Sequence, residues 1–188
     1  MKTGLLLVDI QNDYFKGGLM ELVGMDEAAS RAKDLLLLFR ENQWPTFHIQ
    51  HIATGKDATF FLPDTFGVDI HESVKPLLND VVITKKHPNS FRETMLIEEL
   101  TKASVKRVVI CGAMSHMCID ATTRAAADLG FDCFVIHDGC ATKNLEFGGE
   151  TIPAKKVHGS FMAALGSAYA RVLSFNEFLA ISKIGQTT

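Results

Sequence analysis

Long uncharged stretches are missing from this 188-residue sequence: nowhere do about 18 apolar residues follow one another, which excludes an evident membrane-spanning helix. The apolar run in MKTGLLLVDIQNDYF is short, ends at Asp9 and lacks a small-residue cleavage site, so it reads as a first strand rather than a secretory signal. Positive charge is also scarce. A formal net charge of -3 leaves no basic stripe to hold a phosphate backbone, and nucleic acid is not an expected partner. None of the four cysteines lies in a C-x-x-C pair, which removes the usual zinc spacing and the thioredoxin-like redox motif. No G-x-G-x-x-G or P-loop follows the first hydrophobic run, which weakens a nucleotide-binding reading. The expectation is a cytoplasmic protein with no membrane association, no metal and no cofactor. In that compartment thiols stay reduced, so Cys111, Cys118, Cys133 and Cys140 cannot be assumed to pair.

What is present is a chain with 47% hydrophobic residues, long enough to bury a substantial core as one domain over residues 1–188. Short aliphatic runs alternate with helical patterns, the signature of βαβ units: a three-layer α/β fold whose parallel sheet carries helices on both faces. Strands are predicted at 4–10, 46–52, 81–85, 107–112, 131–137 and 170–173. Helices are predicted at 25–42, 94–102, from Ser115 to Gly130, 155–169 and 175–182. Residues 53–76 read as a long loop with a helical turn near Val74, and loops of that length tend to be functional.

In open α/β sheets ligands lie beyond the carboxyl ends of the strands, so polar residues there are the candidates for chemistry. Asp9 closes the first strand, Lys85 the third, and Cys118 follows the fourth at the start of a helix. Free N–H groups and the helix dipole at that start would favour a thiolate, with Ser115 as a cap. A lone cysteine is as often an inert small hydrophobe, a description that fits Cys111 better. Asp9 suits an acid that takes a thiol proton and later hands it to a leaving amine, while Asp13 is the better candidate for capping the turn that follows. Spacing alone does not decide whether Lys85 or Lys86 faces inward.

Four segments together resolve that choice: LLLVDIQNDYF, TKKHPNSFRETML, VVICGAMSHMCIDATTRAAADLGF and VIHDGCAT. In their order and separation they resemble the isochorismatase-like cysteine hydrolases, the superfamily that includes nicotinamidases, N-carbamoylsarcosine amidohydrolases and ureidoacrylate hydrolases. The resemblance implies a six-stranded parallel sheet and a homo-oligomer. It also implies that Cys118 is the nucleophile, Asp9 the acid/base and Lys85 the supporting cation. A non-proline cis peptide would fall at Ala113 and Met114, and the N–H groups of Met114 and Cys118 would form the oxyanion hole. The implied reaction cleaves a C–N bond of a small amide, ureido or N-carbamoyl molecule through a thioester.

The resemblance is incomplete at one place. Nicotinamidases of the superfamily carry a metal-binding Asp-x-His after the second strand, where this sequence reads His51, Ile52, Ala53. His48 and His51, three apart on a strand, face opposite sides and cannot both chelate one ion. They are expected in the core or at the rim. Isochorismate is also disfavoured, because superfamily enzymes acting on it lack the cysteine. Tyr14, Phe15, Phe60, Phe61, Phe91 and His116 are the candidate walls of a pocket for a small-molecule substrate, about half of them expected to reach it. His137 and Asp138 are expected to serve structure. The competing reading is a binding or redox-sensing protein that kept the fold and a reactive thiol.

Overall fold

The structure, a computed structural model, describes residues 1–184. Six parallel strands form the main sheet: β1 (Thr3–Val8), β2 (Thr46–His51), β3 (Val81–Lys85), β4 (Arg107–Ala113), β5 (Asp132–Ala141) and β8 (Arg171–Leu173), in the order β3-β2-β1-β4-β5-β8. A short antiparallel hairpin, β6 (Leu145–Phe147) with β7 (Glu150–Ile152), stands apart from it. The helices are α1 (Met25–Glu41), α2 (Leu96–Lys102), α3 (Asp120–Asp128), α4 (Ala154–Ala168) and α5 (Phe175–Ile184). None of the described helices is long and apolar enough to cross a membrane.

The alternation of side chains along each strand builds two cores. On one face Leu5, Leu7, Val109, Cys111, Phe134 and Ile136 pack under Ala28, Ala32, Leu35 and Phe39 of α1 and Phe178 of α5. On the other, Leu6, Val8, Val108, Ile110 and Val135 pack against Leu96 and Leu100 of α2, Ala126 of α3, and Met162 and Leu165 of α4. Both faces of β1 and β4 are therefore sealed, which is why LLLV and VVIC are continuous apolar runs rather than alternating ones. Truncating one of the leucines or isoleucines among them, Leu6→Ala for instance, costs about 2–5 kcal/mol.

The chain winds outward from β1 to β2 and β3, then returns to place β4 on the other side of β1. The switch point lies between β1 and β4, and the crevice it opens at their carboxyl ends is where such folds bind ligands. Glycine is required there. At Gly112, φ is +124° and an added Cβ would lie 2.0 Å from the Val8 carbonyl oxygen, so the two strands approach with no room for a side chain.

Several boundaries differ from those read in the sequence. β5 continues to Ala141 because the β4 pairing skips: Ile110 pairs with Val135, but Gly112 pairs with Cys140, and the surplus residues of β5 bulge. The helix after β4 opens as a π-helical turn, Ser115–Ile119, before becoming regular at Asp120. Gly130, at φ +86°, follows its Leu129 C-cap as anticipated. The long loop carries two 3-10 turns, Phe66–Val68 and Glu72–Val74, the second at the position expected from sequence.

Candidate active site

Asp9 follows β1 directly, in a left-handed backbone conformation (φ +52°), and its side chain is fully buried. Lys85 ends β3, two strands away, and is 1% exposed. Its long side chain crosses the end of β2 to put Nζ 2.7 Å from Asp9 Oδ2 and 3.2 Å from Cys118 Sγ. The three residues singled out at three strand ends thus meet in one buried cluster, and Lys86 is left exposed.

Lys85 Nζ is crowded with acceptors. Besides Asp9 and Cys118 it has His51 Nδ1 at 3.1 Å and the carbonyls of His87 and Pro88 at 3.1 and 3.5 Å. Five neighbours compete for three protons. Burial works against the ammonium, but the Asp9 carboxylate and the Cys118 sulfur outweigh it and raise the Lys85 pKa. The Asp9 contact is an ion pair rather than an aimed hydrogen bond. Neither of its oxygens meets hydrogen-bond geometry with a described residue, so both remain buried acceptors beside the thiol.

Cys118 corrects one sequence expectation. The helix start does not make it a resting thiolate: burial, followed by the nearby Asp9 carboxylate, drives the thiol pKa well up, and Lys85 offsets this in part. Cys118 is 5% exposed and packs partly among apolar side chains. Ser115 does not cap the helix either; its hydroxyl is engaged with the Ala141 carbonyl at 3.2 Å and His158 Nδ1 at 2.9 Å, tying the nucleophile turn to β5 and α4. The Ala113–Met114 peptide immediately before this turn is cis.

The candidate wall residues separate into groups. Tyr14, Phe60 and Phe61 form one aromatic cluster, with ring centroids 4.6 to 5.9 Å apart, and Phe61 lies 5.9 Å from the His51 ring. Tyr14 is close enough to the centre that burial, then the charges of Cys118 and Asp9, raise its pKa. Phe15 stacks instead on His71 at 3.6 Å, and Phe91 packs on Phe131 with the opposite core. His116 bonds Thr142 Oγ1 at 2.6 Å and meets Phe161 edge-on. Asp138 accepts a hydrogen bond from the Phe175 N–H, a structural role as expected. Asp13, likewise, accepts from the Leu19 and Phe61 N–H groups and pins the long loop.

Two participants were not read from the sequence as parts of the centre. His51 was assigned to core or rim, yet it touches Lys85. Gln11 was not singled out, although its side-chain amide accepts from the His51 N–H at 2.8 Å and donates to the carbonyls of His51 and Val68 at 2.9 and 2.7 Å. The period-2 position of His51, on the strand between Asp9 and Lys85 and in register with Lys85, was the available signal.

Ligand atoms of Asp9, His51 and Cys118 lie within 4.8 Å of one another, a spacing that would admit a metal ion. The Lys85 ammonium already stands among them, 2.7, 3.1 and 3.2 Å from one atom of each. These residues do not fit a divalent ion, because a fixed cation occupies its place, and His51 stands in the stretch where the Asp-x-His pair is lacking.

A parallel sheet with helices on both faces and a polar cluster at its switch point defines the doubly wound α/β class. The chain belongs to the isochorismatase family: the sequence profile of the isochorismatase domain matches residues 3–152. It is 50% identical over 179 residues to YddQ, an isochorismatase family protein of Bacillus subtilis, covering 95% of this chain and 99% of that one. A crystal structure of an isochorismatase-type hydrolase from Oleispira antarctica superposes with a TM-score of 0.92 at 49% identity, covering 95% of this chain and 96% of that one. A streptothricin hydrolase of Streptomyces noursei is 30% identical over 165 residues, 86% of this chain and 64% of its own.

Proposed function

We propose that the protein is a cysteine hydrolase that cleaves a C–N bond of a small amide, ureido or N-carbamoyl compound, with Asp9, Lys85 and Cys118 as its catalytic triad. The observation that carries this reading is the buried contact of Lys85 Nζ with both the Asp9 carboxylate and the Cys118 sulfur. Kinship with a protein named as a hydrolase of an organic small molecule points the same way.

With the thiol protonated at rest, a base must act as the sulfur attacks. Asp9 takes the Cys118 proton while the S–C bond forms, and the carbonyl oxygen becomes an oxyanion met by the N–H groups of Met114 and Cys118. Asp9 passes that proton to the nitrogen, the C–N bond breaks, and ammonia or an amine leaves a thioester. Water then gives a proton to Asp9 and its oxygen to the acyl carbon; the sulfur leaves and recovers the proton. Lys85 holds the Asp9 carboxylate beside the sulfur and stabilises negative charge as it develops on that sulfur.

The alternative, a redox-sensing protein, is disfavoured by the same geometry, since sensor thiols are exposed and of low pKa whereas Cys118 is buried with a raised one. The protein is taken to work in the cytoplasm as a homo-oligomer, with exposed Phe66, Leu78 and Phe147 available for subunit contacts. Light scattering that found a monomer would remove that assembly. The deciding experiment is ammonia release from primary amides, ureido acids and N-carbamoyl compounds by wild type and Cys118→Ala: turnover lost with the sulfur supports the reading, and turnover that survives it refutes the reading.

A further inference from the structure

We propose that His51 is the specificity-determining hydrogen-bond donor of this centre, presenting its Nε2–H to a carbonyl or carboxylate oxygen on the acyl part of the substrate. The inference rests on the cysteine-hydrolase reading and adds the substrate class to it: compounds with a second acceptor oxygen a few bonds from the scissile carbonyl.

The tautomer follows from the neighbour. An ammonium has protons and no lone pair, so His51 Nδ1, 3.1 Å from Lys85 Nζ, must accept. The proton of the neutral ring is then on Nε2, on the far side of the ring from Lys85. Burial and then the Lys85 charge hold the ring in its neutral form, against the opposing pull of the Asp9 carboxylate. The backbone of His51 is held by Gln11, which bonds both its N–H and its carbonyl, so the ring is delivered from a fixed base.

Its surroundings give the donor its weight. Asp9 and Lys85 are sealed at 0% and 1% exposure, whereas His51 is partly exposed, so it is the member of this polar cluster with an edge open to an incoming molecule. Phe61 flanks the ring and Tyr14 and Phe60 continue that apolar wall, which excludes water and strengthens a hydrogen bond made there. A neutral donor serves a ketone, ester or carboxylate oxygen alike. An analogue without that oxygen would leave the Nε2–H unpaired and bind less well.

Paired aldehydes test this independently of turnover. An aldehyde forms a hemithioacetal with Cys118: sulfur bonds to the carbonyl carbon and the thiol proton passes to the oxygen. Dissociation constants of methyl 4-oxobutanoate and hexanal, measured by titration calorimetry, give a ratio that reads the acceptor oxygen. Wild type is expected to prefer the ester by about 5- to 10-fold. That ratio falls below about twofold in His51→Phe and is restored in His51→Gln, which keeps an N–H donor. Equal binding by wild type, or a ratio unchanged in His51→Phe, overturns the assignment, as does binding of both aldehydes by Cys118→Ala as tight as wild type. Ammonia release from the matched amides is the separate readout. Its absence beside an intact ratio refutes the hydrolase and leaves the donor standing, whereas its presence without a ratio does the reverse.

Discussion

The two histidines of β2 enter two clusters that each join a histidine, a carboxylate and a basic side chain, at opposite ends of the strand. His51 meets Asp9 and Lys85 at the carboxyl end, and His48 meets Asp80 and Arg40 at the other. At Asp80 the carboxylate is satisfied: Oδ2 accepts from Arg40 Nη2 at 2.5 Å and from the Leu77 N–H at 2.9 Å, with His48 Nε2 3.3 Å away, although Arg40 Nε and both His48 ring nitrogens make no directed bond among the described residues. Burial pushes its pKa up, but the Leu77 N–H and Arg40 outweigh that and lower it. At Asp9 the opposite holds. One ammonium is shared among five acceptors, and both carboxylate oxygens are buried without a directed hydrogen bond. Chemistry needs a carboxylate that still has a bond to make, and a carboxylate whose bonds are already made is an anchor.

That contrast can be broken. The largest effect expected is on turnover: Cys118→Ala lowers it by at least about 10³-fold with little change in melting temperature, while Asp80→Asn changes it less than about threefold. Comparable losses in an ammonia-release assay would erase the distinction. Alkylation comes next. Because burial keeps Cys118 a thiol, iodoacetamide at pH 7.5 should modify it at least about tenfold more slowly than free cysteine, yet ahead of the fully buried Cys111, as peptide mass spectrometry would read.

Stability separates the clusters further. Lys85→Ala leaves a buried carboxylate without its counter-charge and should cost about 3–5 kcal/mol in urea unfolding. The partly exposed Arg40→Ala should cost no more than about 1–2 kcal/mol, and the reverse order would contradict the comparison. Smallest is a pH effect. His48 is held below its ordinary pKa of 6.5, first by burial, so the unfolded chain takes up a proton that the fold refuses. Stability therefore falls as pH drops below about 6.5, by at most about 1.4 kcal/mol per pH unit for each such group. His51, His71, His116 and His158 act in the same direction. Asp80, with its lowered pKa, stabilises the fold above its ordinary 3.8 and loses that contribution only at more acid pH. His48→Asn should flatten the slope between pH 6.5 and 5 by up to one proton, and an unchanged slope would mean that His48 titrates normally.

How far the sequence could be read depended on what encodes each feature. β3 was placed at its observed limits because its apolar run ends sharply at two lysines, and α1 to within one residue of its observed end because six apolar positions from Ala28 to Phe39 recur at helical spacing. The meeting of Asp9, Lys85 and Cys118 was legible from their places at the ends of β1, β3 and β4 together with the family resemblance. Spacing alone left Lys85 and Lys86 equivalent, since it gives alternation without a direction. The β6–β7 hairpin was missed because three-residue strands of mixed polarity carry no period. Its one sign was Gly148-Gly149 at the turn, both with positive φ. Gln11 was illegible for a different reason: its role comes from hydrogen bonds spanning 40 and 57 residues, which no local pattern records, while His51 had only its strand position opposite Lys85 to mark it.

The π-helical turn Ser115–Ile119 holds one residue more than a regular helix would spend on the same rise. Deleting a residue there would let a regular helix span the same rise, leaving the side chains of α3 in place while turning those within the turn, Cys118 among them, by up to about 100°. Such a deletion would suit the helix and carry the sulfur out of reach of Lys85. The irregular turn is therefore an alignment device, trading helical regularity for the bearing of a single atom.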